Sequence, residues 1–291
     1  MGEYKIKDIE TLTGIKSHTI RIWEKRYGIL KPKRTDTKIR TYSETDLTTI
    51  LNVAILNKNG WKISHIAEIN EGERNGKVRE LHSAGKADVY FEKLLLALIE
   101  LDESCFEETI GQLIEEHGLE KTFSNHLVQF LERIGIMWIT GTINPGQEHF
   151  ITHLIRQKLI SETALLPVPD PKSPKVLLFL PEYEWHELSL LFYHYMLRSN
   201  GVHSFYLGQS LPYDAVIECV ERLNPKALLT SVLTATETDY YENLFKKMRK
   251  DLGDLPIYAG GYQVKMNESK LKKFIHPVHN TKDLEALYCI K

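Results

Sequence analysis

Two stretches of this 291-residue chain carry side chains able to do chemistry. In the first, the apolar run Leu177-Leu178-Phe179-Leu180 ends at Pro181, and Glu184-x-His186 follows before an amphipathic helical pattern begins. In an open α/β sheet this places His186 just beyond the carboxyl end of a strand, where ligands bind. Standing alone, such a pair reads as a solvated loop histidine. The second stretch runs from Lys16 to Tyr42. Nine basic residues (Lys16, Arg21, Lys25, Arg26, Lys31, Lys33, Arg34, Lys38 and Arg40) face only Glu24 and Asp36, a local charge of +7 in a chain of formal net charge −2. An acidic stretch between Glu92 and Glu148 offsets it. Such segregation points to a polyanion partner for one domain and not for the whole chain.

The elements that must position these groups follow from periodicity. The length predicts two or three domains. At the N-terminus, Ile6, Ile9, Leu12 and Ile15 share one helical face, Gly14 supplies a turn, and Ser17 is the expected N-cap of a second helix through Ile20, Trp23 and Tyr27. This is the helix-turn-helix pattern, and its second helix would show Ser17, His18, Thr19 and Arg21 to a major groove. The segment 31–42 then reads as a basic hairpin wing suited to phosphate contacts. With Lys16, Trp23, Arg34, Lys38, Arg40 and Tyr42, those residues make the candidate DNA-contact set; Trp23 either touches the DNA backbone or packs under the wing.

Four amphipathic patterns follow, through Phe91-Leu94-Leu95-Leu98-Leu101, Phe106-Ile110-Leu113-Ile114, Leu127-Phe130-Leu131-Ile134 and Phe150-Ile151-Leu154-Ile155-Leu159. Period 3.6 with short polar connections predicts a helical bundle. Four prolines within 167–174 predict a stiff linker. Beyond it, strands over 175–180, 202–207, 227–231, 256–259 and 274–278 alternate with helices over 186–199, 212–223, 237–252 and 281–288, which predicts a parallel, doubly wound sheet. The expected division is a head over 1–75, a helical cap over 76–166, a linker over 167–174 and a Rossmann-like domain over 175–291.

Several classes are disfavoured. No Gly-x-Gly-x-x-Gly follows the first strand, and no Walker sequence occurs. Cys105, Cys219 and Cys289 are far apart and without metal-ligand spacing, so a reducing cytoplasm is the expected compartment. No run approaches the length of a membrane span, and the N-terminus lacks a signal peptide's apolar region.

At these residues the chain resembles known families. Tyr4-Lys5-Ile6-Lys7-Asp8-Ile9, Thr19 to Leu30 (with Ile22-Trp23-Glu24-Lys25-Arg26-Tyr27-Gly28) and Arg40-Thr41-Tyr42-Ser43 resemble the MerR-type winged helix-turn-helix, in the form found in the subgroup that carries a cobalamin domain. Trp138, nine intervening residues and Glu148-His149 resemble the Trp-x9-Glu-His signature of the four-helix cap over cobalamin in CarH/LitR-type regulators. In that family the Trp covers the upper axial group, and the Glu and His lie near it. The light-sensing members have a His directly after that Trp. This chain has Ile139, which has no donor atom, so light sensing by that ligand exchange is not implied.

Glu184-x-His186 with Ser189, Ser231-x-Leu233 and Gly260-Gly261 lie after the right strands in the order of the Asp-x-His-x-x-Gly, Ser-x-Leu and Gly-Gly set of base-off/His-on cobalamin domains. The resemblance implies His186 as lower cobalt ligand and Glu184 as the acid fixing its tautomer, a pairing that suits metal-bound imidazoles. It also implies Ser231 and Leu233 lining a slot for the displaced nucleotide tail, with Gly260-Gly261 leaving room. Glu184 stands where Asp is commoner, and Ser189 where the motif has Gly.

Together these imply a cytoplasmic, non-enzymatic transcription regulator. It would bind a double-stranded DNA operator and adenosyl- or methylcobalamin, and the cofactor would control a homo-oligomer, dimer or tetramer. The alternative is a MerR-type regulator with a vestigial pocket that answers to a protein partner or another ligand. A methyltransferase component is disfavoured because no segment is long enough for a substrate barrel.

Overall fold

The computed structural model describes residues 4–34, 39–83, 87–139, 142–234 and 239–289. They pack as two compact bodies, Met1–Ile151 and Thr152–Lys291. Among the described residues no helix is long and apolar enough to cross a membrane.

In the first body, α1 (Ile6–Thr13) ends at Gly14, whose φ of 72° turns the chain into α2 (Ser17–Tyr27). The expected Ser17 cap is corrected: Lys16 holds the N-cap position of α2. The Ser17 hydroxyl and N–H both donate to the Glu10 carboxylate, so that side chain is spent on α1. Two short strands, β1 (Lys33–Arg34) and β2 (Arg40–Thr41), pair antiparallel as the expected wing. Ser43 and Asp46 then form a reciprocal cap for α3 (Glu44–Lys58).

Two shorter helices, α4 (Ile63–Glu68) and α5 (Glu71–Ser83), lead to the bundle: α6 (Ala87–Glu100), α7 (Glu103–Lys121), a π-helical turn (Thr122–Leu127), α8 (Val128–Ile139) and the start of α9 (Pro145–Ala164). The expected face residues Leu94, Leu95, Leu98, Phe106, Ile110, Leu113, Phe130 and Ile134 are buried. Leu101 is not: it follows the end of α6 with φ 54° and is exposed. The π turn follows a break at Gly118 and has no periodic signature in the sequence. Within this body Arg133 on α8 donates to the Leu12 carbonyl at 2.6 Å, and Lys58 pairs with the buried Glu92 carboxylate at 2.8 Å. Pro145 opens α9, where Asn144 and Gln147 exchange side-chain and backbone hydrogen bonds.

The second body is the expected parallel sheet. Its strands are β3 (Lys175–Leu178), β4 (His203–Tyr206), β5 (Ala227–Ser231), β6 (Ile257–Gly260) and β7 (His276–Val278), in the order β4-β3-β5-β6-β7. Helices α10 (Leu188–Ser199), α11 (Tyr213–Leu223), α12 (Tyr240–Leu252), α13 (Tyr262–Leu271) and α14 (Glu285–Tyr288) connect and flank them. All of β5 is buried, as a strand covered on both faces must be. Leu177, Leu228, Val216, Phe245 and Ile257 share its core cluster.

Two expectations change here. Helix α13 lies between the fourth and fifth strands, where the sequence reading has none; its mixed sequence hides the period. Helix α10 starts at Leu188, not at 186, so His186 and Glu187 stay in the loop. The proline-rich segment is tied down, with the Pro167 carbonyl accepting from Arg198 at 3.1 Å.

The strand order reverses at β3, so the loops after β3 and β5 flank the switch point at which open α/β sheets bind ligands. Gly261 brings the loop after β6 to the same place. Its φ is 97°, and a Cβ there would meet the Val232 backbone nitrogen and carbonyl carbon at 2.8 Å. Gly261→Ala is expected to cost about 3 kcal/mol or more, since positive-φ strain is joined by a clash with rigid backbone. An unfolding midpoint in urea equal to that of the parent would contradict this.

Candidate functional site

On the first body, α2 is two-faced. Ile20 and Trp23 are buried, while Lys16, His18, Arg21, Lys25 and Arg26 are exposed and Ser17 and Thr19 half-buried. Trp23 thus packs inside. Glu24 is the clamp between helix and wing. Its carboxylate accepts from Arg40 Nε at 3.0 and 3.1 Å and from the Tyr42 hydroxyl at 3.3 Å. Tyr42 is fully buried, and burial followed by the Glu24 carboxylate pushes its hydroxyl up to about 12.

Of the expected contact set, Tyr42 is thus buried and Arg40 is paired with Glu24. Arg34 is exposed on β1; Lys38 lies outside the described residues. Lys16, His18, Arg21, Lys25, Arg26 and Arg34 are exposed on this part of the body, with Ser17 and Thr19 half-buried among them. The missed signal for Glu24 was its isolation: one of two acids in a basic stretch is well placed to be structural.

Further along this body, Trp138 is 54% exposed near the end of α8. The Met137 carbonyl accepts from Thr142 N at 2.8 Å and so folds the chain back toward α9. Glu148 and His149 stand on its first turn, paired with each other at 2.7 Å. The side chain of Ile139 lies outside the described residues.

On the second body, Glu184 is the centre of the candidate site. Its side chain is 1% exposed, yet every lone-pair direction is used. Oε1 accepts from His186 N (3.0 Å), from the Thr234 hydroxyl (2.9 Å) and from His186 Nδ1 (2.7 Å). Oε2 accepts from the N–H groups of Leu233 and Thr234, both at 2.7 Å. Burial alone would raise this carboxyl; the bonds from His186, Thr234 and Leu233 outweigh it and hold it at about 2. A carboxylate accepting at Nδ1 leaves the lone pair of the neutral imidazole on Nε2. The His186 side chain is 62% exposed.

The loop that carries this pair is pinned on its other side too. Ser210 N donates to the Glu184 carbonyl at 3.0 Å, Gln209 Nε2 to the Trp185 carbonyl at 2.8 Å, and Tyr183 N to the Ser210 hydroxyl at 3.0 Å. Tyr183 takes a φ of 67°, a conformation unusual outside glycine. Next to His186, the buried Glu187 is held by Arg156 of α9 and by the Tyr206 hydroxyl. Tyr183 and Trp185 are exposed around His186, and Tyr262 and Met266 are exposed at the same end of the sheet.

The remaining expected residues are brought together at the strand ends. Ser231, paired in register with Gly260, is fully buried. Leu233 takes part through its backbone N–H. Beside the two glycines, a Cβ on Gly260 would lie 2.5 Å from the Tyr193 hydroxyl, and Gly261 abuts Val232. Ser189 is the second residue of α10, partly buried. Thr234 and Tyr193 are the site residues that the sequence reading missed. Thr234 is the third residue after the Ser231 signal, and Tyr193 is one helical turn beyond Ser189.

Residues 4–73 match the model of the MerR HTH family regulatory protein, and residues 90–160, which include α6 to α8 and most of α9, match that of the B12 binding domain. The chain thus carries a segment similar to the MerR HTH family followed by one similar to the B12 binding domain. Among known proteins it is 26% identical to the HTH-type transcriptional repressor CarH of Myxococcus xanthus over 293 residues, covering 98% of this chain and 97% of that protein. The HTH-type transcriptional repressor CarA of the same organism is 26% identical over 260 residues, covering 88% and 86%. In fold, the chain is similar to a monomethylamine corrinoid protein of Methanosarcina barkeri, with a TM-score of 0.58 and 16% identity over 71% of this chain and 100% of that one.

One imidazole oriented by a buried acid is a donor of the kind that a metal-centred cofactor would take. Glu184 also makes the second body acid-sensitive. Its carboxyl lies at about 2 in the fold against an ordinary 4.5, so its stabilisation is complete above pH 4.5 and is lost as the pH falls through about 2. The full effect is about 3 kcal/mol. Glu184→Gln is expected to be less stable at pH 7 and to lose this part of the pH dependence between 4.5 and 2. Parallel stability–pH curves for parent and variant in urea melts would contradict it.

Proposed function

We propose that the chain is a DNA-binding regulator whose affinity for its operator is set by a bound corrinoid, held with His186 as lower cobalt ligand. The observation that carries this reading is the saturated Glu184 carboxylate, which orients His186 at the switch point of the sheet. It sits in a chain whose helical segment matches the B12 binding domain.

In this reading, cobalamin as its adenosyl or methyl form supplies a cobalt with an exchangeable upper group, and the protein does the rest. His186 Nε2 would be the neutral donor to the metal. Glu184 keeps the Nδ1 proton in place and stops the ring from swinging. Trp138, Glu148 and His149, carried on α8 and α9, are proposed as cofactor contacts on the resemblance of their spacing. The proposed division is a head over 1–75, a cap over 76–166, a linker over 167–174 and a sheet domain over 175–291.

Regulation requires that the ligand bind one assembly of the chain more tightly than another. A dimer or tetramer is the proposed assembly, because paired heads would bind two half-sites of an operator. The relatives CarH and CarA are transcriptional repressors by name, which supports a regulatory output here.

His186→Ala is expected to lower the affinity for aquocobalamin at least tenfold in equilibrium dialysis and to abolish the absorbance change of histidine ligation. An unchanged affinity and spectrum would remove the ligand assignment. The head is tested separately. Arg21→Ala is expected to weaken binding to non-specific duplex DNA and to reduce the slope of log affinity against log salt by about one. A slope equal to the parent's would take Arg21 off the phosphate contacts.

A further inference from the structure

The carboxyl ends of β5, β6 and β7 hold a row of three residues in register: Ser231 beside Gly260, and Gly260 beside Val278. Register partners in a parallel sheet project to the same face. Here that face lies under α10, because a Cβ on Gly260 would point at Tyr193, 2.5 Å from its hydroxyl and 3.3 Å from Cε2. Glycine in the middle of this row opens a gap between sheet and helix, and the phenol of Tyr193 fills it. The Ser231 hydroxyl is fully buried and has no hydrogen-bond partner among the described residues, a costly state for a polar group. Ser189 precedes Tyr193 by four residues, so both stand on one face of α10.

This matters for any corrinoid bound through His186. When an imidazole of the protein takes the lower position of cobalt, the cofactor's own base must leave it. That base stays tethered to the rim of the ring by a nucleotide arm, so it needs space on the same side as His186. The row Ser231–Gly260–Val278 offers the two features such an arm would use, a glycine gap and an unsatisfied buried hydroxyl, yet Tyr193 stands in the gap.

We propose that Tyr193 is a specificity residue that closes this space to a bulky lower nucleotide, so that the chain prefers corrinoids whose lower arm is short or absent. The proposal rests on ligation by His186 as set out above. A tail-free corrinoid keeps the ring contacts and the His186 bond without having to expel the phenol. Cobalamin must either turn Tyr193 out of the gap or leave its nucleotide in solvent.

The test compares diaquocobinamide, which lacks the nucleotide, with aquocobalamin by equilibrium dialysis against the full chain, its Tyr193→Ala form and its Tyr193→Phe form. The parent is expected to bind cobinamide at least tenfold more tightly than cobalamin. Tyr193→Ala is expected to raise cobalamin affinity at least tenfold and to leave cobinamide affinity unchanged. Should the alanine variant fail to fold by circular dichroism, Tyr193→Phe is expected to shift the ratio the same way by a smaller factor, since the hydroxyl is the atom nearest Gly260. A parent that prefers cobalamin, or a ratio that neither variant moves, overturns the assignment of Tyr193 while the His186 reading stands. Failure of the parent to bind either corrinoid overturns both.

Discussion

A carboxylate buried to 1% exposure is costly unless each of its lone pairs is met, and Glu184 meets this condition by gathering donors from two loops. The rest of the second body can be read as its support. Strand β3 delivers the acid to the switch point, and β5 delivers the Leu233 and Thr234 amides against it. Gly261 lets the loop after β6 press on Val232, so the segment bearing those amides is held from behind. The geometry of His186 is the residue of these constraints: its Nδ1 is tied to Glu184, which fixes the orientation of the ring.

The first body uses the same device for another end. Glu24 takes Arg40 and Tyr42 and so ties the wing to α2. Two groups that composition alone would assign to DNA are consumed in making the surface, and the exposed cations are what the surface presents. Basic charge in a sequence does not separate these roles, because an arginine that shapes a scaffold and one that meets a phosphate have the same letter. Partner and burial decide, and both belong to the folded chain.

Legibility in the sequence followed the length of the signal. Apolar strands such as 227–231 and helices with a clear face, such as that of Phe106, Ile110 and Leu113, stood out because burial imposes a period. The Glu-x-His pair was legible because both partners are local. Helix α13 was not, because its apolar positions are few and the chain around Gly260-Gly261 looks like a loop. Ser17 was read as a cap from its type, whereas Glu10, seven residues earlier, competes for it. Tyr193 and Thr234 escaped for a different reason: their importance lies in what they meet across the fold, Gly260 and Glu184, at separations that no local pattern encodes.

The reach of Glu184 has a consequence for inheritance. Its carboxylate touches Leu233 and Thr234 at 2.7 Å across 49 and 50 residues of chain. An aspartate, one methylene shorter, would retract both oxygens from those amides unless the segment after β5 came forward to follow. The identity of the acid and the path of that segment therefore behave as one character. Exchanging glutamate for aspartate between relatives is conservative only when the second loop travels with it, and a chimaera that crosses between the two would leave two amides and an imidazole facing a gap.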